Sequence, residues 1–139
     1  VLDSGDGIAV NKLEAARYYK MAADKGHIRS MHKYAYKLHY GNGIAVNKRE
    51  AARYYKMAAD NGHPESMRIY GLMLKQGDGI AANKREAARY FKMAADKGNV
   101  DAMRNYAVML KNGDGVPVNK QEADRYFKMA TAQDHICYN

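Results

Sequence analysis

Eight residues recur four times along the chain: GDGIAVNK at Gly5, GNGIAVNK at Gly41, GDGIAANK at Gly77 and GDGVPVNK at Gly113, at a constant step of 36 residues. No other property of the sequence restricts its fold as strongly. A fixed period of this size marks stacked supersecondary units, each unable to bury its apolar face alone and each covered by its neighbours. The units so defined are 5–40, 41–76, 77–112 and a partial 113–139. Val1-Leu2-Asp3-Ser4 aligns with Met109-Leu110-Lys111-Asn112, so residues 1–4 read as the remnant of a preceding helix and the N-terminus as a cut inside an array. The expectation is one domain over 1–139.

After each loop the apolar period becomes helical. Between Lys12 and Lys25, residues Ala15, Tyr18, Tyr19, Ala22 and Ala23 fall at i, i+3, i+4, i+7 and i+8, which puts them on one face. The opposite face carries Glu14, Arg17, Lys20 and Asp24 as oppositely charged pairs at helical spacing. Asn11 with Glu14, Asn47 with Glu50, Asn83 with Glu86 and Asn119 with Glu122 have capping-box spacing, so these helices are expected to start at the asparagine. Gly26, Gly62 and Gly98 end them.

A further helix then runs over Ile28–Tyr40, Pro64–Gln76 and Val100–Asn112, with Pro64 suited to a first helical position. Its apolar stripe is Met31, Tyr34, Ala35 and Leu38, repeated as Met67, Tyr70, Gly71 and Leu74 and as Met103, Tyr106, Ala107 and Leu110. Each repeat is thus a helical hairpin, and the fold is all-α.

Phe91 and Phe127 replace Tyr19 and Tyr55, so a hydroxyl is dispensable there, whereas Tyr18, Tyr54, Tyr90 and Tyr126 keep theirs and are expected to hydrogen-bond at the rim of the core. In the loops the second glycine is expected at positive φ, with Ile8, Ile44, Ile80 and Val116 tucked under the hairpin. In the last unit Asp134 stands where the stop glycine belongs, and Gln133–Asn139 reads as a short cap laying Ile136 and Tyr138 over the final helix.

The small-x-x-x-Tyr-Ala/Gly-x-x-Leu helix, the GxGI loop and the Ala-x-x-Tyr-Tyr/Phe-x-Met-Ala-Ala-x-x-Gly helix together resemble the Sel-like repeat family, relatives of the tetratricopeptide repeats. Tyr18 and its equivalents stand where that family usually has Trp, and Met21 and its equivalents where Lys is common. The resemblance implies a right-handed α-solenoid of stacked antiparallel hairpins. It further implies an adaptor or scaffold role, with the Ile28–Tyr40 type of helix, the first of each hairpin, lining a concave groove.

The chemistry-bearing classes find little purchase. GDGIAV lacks the third glycine of a dinucleotide loop and the GK[ST] of a P-loop, and it follows a helix instead of a strand. Asp6, Asp78 and Asp114 give one carboxylate per loop, far short of a calcium site, and Asn42 replaces it once. His32 and His39 lack a third metal ligand nearby, while His27 and His63 share a slot with Asn99 and read as caps. Cys137, the only cysteine, with His135 beside it lacks an orienting acid. Neither an enzymatic activity nor a cofactor or metal is expected. No apolar run reaches membrane-spanning length, and a lone cysteine without a visible signal segment favours the cytoplasm.

Positions that vary between units at one geometric place are those free to recognise a partner. On the first helices these include Arg29, His32, Tyr36 and His39, then Arg68, Leu72 and Lys75, then Arg104, Val108 and Lys111. They form two basic rows, His32/Arg68/Arg104 and His39/Lys75/Lys111, with the strip Tyr36/Leu72/Val108 between them. The expected partner is a protein or peptide segment, acidic to suit the net charge of +8. Nucleic acid or an anionic surface could instead meet the ladder Arg17, Lys20, Arg53, Lys56, Arg89, Lys92, Arg125 and Lys128. Glu14 and Asp24 with their equivalents partly neutralise that face, which disfavours it. Self-association through the exposed terminal repeat surfaces is a third reading.

Overall fold

The computed structural model describes the backbone of residues 5–138 and the side chains of residues 11–134. Seven helices follow one another: α1 (Gly5–Asp24), α2 (Ile28–Tyr40), α3 (Lys48–Asp60), α4 (Pro64–Gln76), α5 (Lys84–Asp96), α6 (Val100–Asn112) and α7 (Lys120–Tyr138). No strand occurs among the described residues. Consecutive helices pack in pairs, α2 on α3, α4 on α5 and α6 on α7, and each pair packs on the next through the glycine turn between them. This is the expected solenoid of antiparallel hairpins.

The capping chemistry explains where these helices begin. Asn47, Asn83 and Asn119 accept the backbone N–H of Glu50, Glu86 and Glu122 at 3.0, 3.1 and 3.0 Å, satisfying donors that the first helical turn leaves orphaned. At the entry to α4 and α6, the side chains of His63 and Asn99 accept from Ser66 and Ala102 in the same way, while His27 instead hydrogen-bonds the Ser30 side chain. The loops between hairpin arms hang on backbone bonds from Asn47, Asn83 and Asn119 N–H to the carbonyls of Leu38, Leu74 and Leu110, each 2.8 Å. Their second glycines need both a positive φ and an absent side chain. Gly79, at φ 81°, would put a Cβ 2.6 Å from that of Lys48.

The apolar interior runs the length of the stack, because two buried clusters, one centred on Tyr54 and Tyr55 and the other on Tyr90 and Phe91, both rest on Tyr70 and Ile80. Alanines at 51, 52, 58 and 59 and at 87, 88, 94 and 95 are buried, letting helix backbones approach while aromatic rings fill the space between. Tyr34 meets Tyr54 edge to face at 4.8 Å, and Tyr70/Tyr90 and Tyr106/Tyr126 repeat the contact at 4.9 and 5.0 Å. Met73 and Met109 are also buried, on a side of their helices outside the expected stripe.

Four expectations fail: Tyr18, unlike its equivalents, is 66% exposed instead of sitting at the core rim, and the His27 side chain does not cap α2; the other two concern the ends of the chain. The first loop copy is helical: α1 starts at Gly5 and runs through Asn11 without a break. In the other copies the loop is held by the preceding helix through the leucine carbonyl, whose counterpart here, Leu2, lies outside the described residues. The C-terminal segment does not turn back as a cap, because α7 continues to Tyr138. Asp134 is not a residue that readily takes the left-handed conformation of a stop glycine, so nothing there reverses the chain. The side chains of Ile8, Ile136 and Tyr138 lie outside the described residues.

Candidate functional site

The two faces of the stack use their charges differently. On α1, α3, α5 and α7 the cationic ladder is locked into its own helices. Arg17, Arg53, Arg89 and Arg125 pair with the glutamate three residues before, and Lys20, Lys56 and Lys92 with the aspartate four residues after. Arg53, Arg89 and Arg125 also lie over the rings of Tyr54, Tyr90 and Tyr126 at 4.5 Å. Those tyrosines are buried, and each hydroxyl donates to an aspartate of the preceding hairpin: Tyr54 to Asp24 and Tyr90 to Asp60 at 2.7 Å, Tyr126 to Asp96 at 2.9 Å. What this face leaves free is Tyr18, 66% exposed, with Arg49, Arg85 and Lys128, which have no ion-pair partner among the described residues.

On α2, α4 and α6 the acids are matched and cations remain over. Glu65 pairs with Arg68, Asp101 and Asp134 with Arg104, and Asp78 with Lys48 at 3.0 Å and His39 at 3.4 Å. Burial raises the Glu65 carboxyl, but its bonds to Arg68 and Asn99 outweigh this and hold it below the ordinary carboxylate range. Lys48, foremost, does the same for Asp78. Arg29, Lys33, Lys37, Lys75 and Lys111 have no ion-pair partner among the described residues.

Each predicted site residue therefore has a definite situation. Arg29 and Lys111 are exposed and Lys75 half-buried. Tyr36 and Val108 are 47% and 38% exposed, with Leu72 half-buried at the same position of the intervening helix. Arg68 and Arg104 are half-buried and engaged by carboxylates.

His32 contributes no charge to the upper row. The Ser66 backbone N–H donates to His63 Nδ1 at 3.2 Å, so that nitrogen carries no proton and also accepts the Ser66 hydroxyl at 2.8 Å. The hydroxyl oxygen in turn accepts from His32 Nδ1–H at 2.7 Å. Burial, with His63 4.7 Å away ring to ring, pushes His32 down to about 4. It is neutral near pH 7 and serves the joint between α2 and α4.

The remaining row is unlike itself from repeat to repeat. His39 stacks on Tyr40 at 4.4 Å, and Tyr40 meets Tyr36 at 4.7 Å. These aromatic rings are replaced by Gln76 and Leu72 in the next unit and by Asn112 and Val108 in the one after. A cleft of about 540 Å³ opens beside them, walled by His39 and Tyr40, floored by Ile69, Leu72 and Met73, and edged by Arg68. Tyr40 and Ile69 lie on the helix face that unit-to-unit variation marks out, whereas sequence reasoning missed Met73 as a lining residue.

Among the described residues no group of three or more His, Cys, Asp or Glu side chains is placed to hold a metal ion, and no helix is long and apolar enough to cross a membrane. No curated protein sequence matches the chain. Among solved structures, it is similar to c5321, a protective antigen of uropathogenic Escherichia coli strains displaying an SLR fold, at 28% identity and TM-score 0.81 over 85% of this chain and 25% of that one. It is similar to a Sel1 repeat protein from Oxalobacter formigenes at 28% identity and TM-score 0.80, over 86% of this chain and 49% of that one. The chain thus spans a quarter and about half of those two proteins. Helicobacter pylori cysteine rich protein B shares the fold at 20% identity and TM-score 0.69, over 95% of this chain and 92% of the other. The family model for the Sel1 repeat matches residues 2–27, 28–63, 64–99 and 100–135, cutting the 36-residue period at the start of α2 instead of at the loop. Four consecutive repeats over nearly the whole length make this chain a member of the Sel1 repeat family, whose proteins are commonly scaffolds for protein–protein interaction and generally not catalysts.

Proposed function

We propose that this segment binds an acidic peptide or protein segment along the groove formed by α2, α4 and α6. The observation that supports the reading is a set of unpaired cations beside an exposed apolar strip. The ladder on α3 and α5 is paired residue by residue, whereas Arg29, Lys75 and Lys111 flank the strip Tyr36, Leu72 and Val108 without a carboxylate partner among the described residues. His32 is neutral, and Arg68 and Arg104 are engaged by carboxylates, so the three supply little free charge.

Charge-assisted hydrogen bonds contribute roughly 1.5–3 kcal/mol each, against an association cost of at least about 4 kcal/mol. Three or four contacts therefore correspond to micromolar affinity at best, suited to a transient adaptor. Affinity purification coupled to mass spectrometry tests this with the double variant Lys75→Glu/Lys111→Glu beside a control, Arg53→Glu/Arg89→Glu, on the other face. Loss of the same captured proteins in the first variant only is the expected outcome. Loss only in the control transfers the function to the other face, where nucleic acid becomes the reading to pursue.

A further inference from the structure

We infer that the cleft between α2 and α4 is an anchor pocket for an aromatic side chain of the bound acidic segment, packed on Tyr40. This deepens the groove assignment above and rests on it for the acidic character of the ligand. Tyr40 is 61% exposed, yet it is not loose: one side of its ring is backed by His39 in a near-parallel stack of 25°. His39 is itself only 11% exposed and is held by Asp78, which Lys48 fixes at 3.0 Å. A chain of contacts from the loop thus orients a flat ring that touches Tyr36 at 4.7 Å and still stays exposed at the wall of the cleft. Flat aromatic faces favour another ring, stacked or edge-on, over a branched aliphatic group.

The pocket is repeat-specific. Leu72 and Gln76, then Val108 and Asn112, occupy the equivalents of Tyr36 and Tyr40, so the segment's position along the groove is fixed by one anchor instead of three equal ones. Charge complementarity selects the surroundings of the anchor. Lys75 stands one turn after Leu72, and Lys33 and Lys37 lie over the Tyr19 ring at 5.4 and 5.7 Å, all without an ion pair among the described residues. Acidic residues flanking the aromatic one meet Lys75 on one side and reach towards Lys33 and Lys37 on the other.

Fluorescence anisotropy with the whole 139-residue chain tests this with four labelled probes: a nine-residue Glu-rich peptide with central Phe, the same peptide with central Ala, a neutral Ser/Gly-rich peptide with central Phe, and oligouridylate. The acidic Phe peptide is expected to bind about tenfold tighter than the acidic Ala peptide. Tyr40→Ala should remove that difference while leaving affinity for the Ala peptide unchanged, and Tyr40→Phe should retain it. Equal binding of the two acidic peptides, sensitive to Lys75→Glu/Lys111→Glu, overturns the anchor but supports the groove. Binding of the neutral Phe peptide as tightly as the acidic one supports the anchor and overturns the acidic groove. Tighter binding of oligouridylate, or no binding of any peptide, overturns both.

Discussion

Tyr54 and Tyr55 are adjacent, fully buried and chemically identical, yet removing their hydroxyl groups should move stability in opposite directions. The Tyr54 hydroxyl donates to Asp24 Oδ1 at 2.7 Å, across the joint between two hairpins. The Tyr55 hydroxyl is buried without a hydrogen-bond partner. A hydrogen bond to a charged group contributes roughly 1.5–3 kcal/mol. Asp24 is nearly half exposed and keeps Lys20 at 2.9 Å, so Tyr54→Phe should cost about 1.5 kcal/mol, the lower end of that range. An unsatisfied buried hydroxyl carries an uncompensated desolvation penalty, so Tyr55→Phe should stabilise by about 0.5–1 kcal/mol. Phe91 and Phe127 already occupy the equivalent place.

Urea denaturation followed by circular dichroism reads the difference as midpoints displaced to either side of the parent at unchanged m. A second readout is local. The Tyr54 hydrogen bond is the foremost cause that holds Asp24 below the usual carboxylate range, so its carboxyl titration by NMR should rise in Tyr54→Phe and stay put in Tyr55→Phe. Equal destabilisation by both substitutions would refute this hydroxyl accounting and reduce both residues to space-filling.

The His32 joint should make the stack acid-sensitive. A folded value of about 4 against 6.5 unfolded corresponds to about 3 kcal/mol at 1.36 kcal/mol per tenfold, which solvent screening at this half-exposed ring reduces to about 2 kcal/mol. Because the unfolded state binds the proton more readily, this contribution is fully present above about pH 6.5 and is lost as pH falls towards 4. His63, also lowered by burial, acts in the same direction, whereas the lowered carboxylates such as Asp24 and Glu50 act below about pH 4.5. Thermal melts of parent and His32→Gln between pH 7 and 5 should therefore converge as the pH falls. Two glycines at similar φ should differ in tolerance. Gly98→Ala, with no atom within 4 Å of the added Cβ, should cost about 1 kcal/mol. Gly79→Ala, which drives its Cβ into Lys48, should cost about 3 kcal/mol or more by the same denaturation assay. Asn83→Ala removes the bond to the Glu86 N–H and should cost about 1 kcal/mol, recovered in part by Asn83→Asp.

Most of the fold was legible because it is written in residues close together in sequence. Asn47 with Glu50, the alanine face of α3 and the tyrosine–phenylalanine alternation at position 55 are local or repeating patterns, and periodicity exposes both. The helical start at Gly5 was hidden, since nearly the same eight residues form a loop in each later copy. The face of α2, α4 and α6 was only half legible. Variation from unit to unit suggests freedom, but His32 with Ser66 and Glu65 with Asn99 join successive hairpins, and Arg104 with Asp134 ties α6 to α7. A pair separated by 30 or more positions leaves no imprint on local spacing when its members change identity each time. The cleft beside Tyr40 was hidden for a related reason, because its walls come from two helices and a loop.

The link from Tyr54 to Asp24, repeated by Tyr90 and Tyr126, gives the hairpins that end in α3 and α5 a donor on the leading side and an acceptor on the trailing side, a place that Ala132 takes on α7. Bricks with such a plug and socket accept one another in a single sense only, and no inverted or back-to-back arrangement satisfies both ends. They also close no ring by themselves, since nothing in the joint limits how many are added. Whole bricks can then be gained or lost by duplication or deletion without inventing a new joint, and the lone aromatic bay beside Tyr40 would keep its address while the wall around it grew.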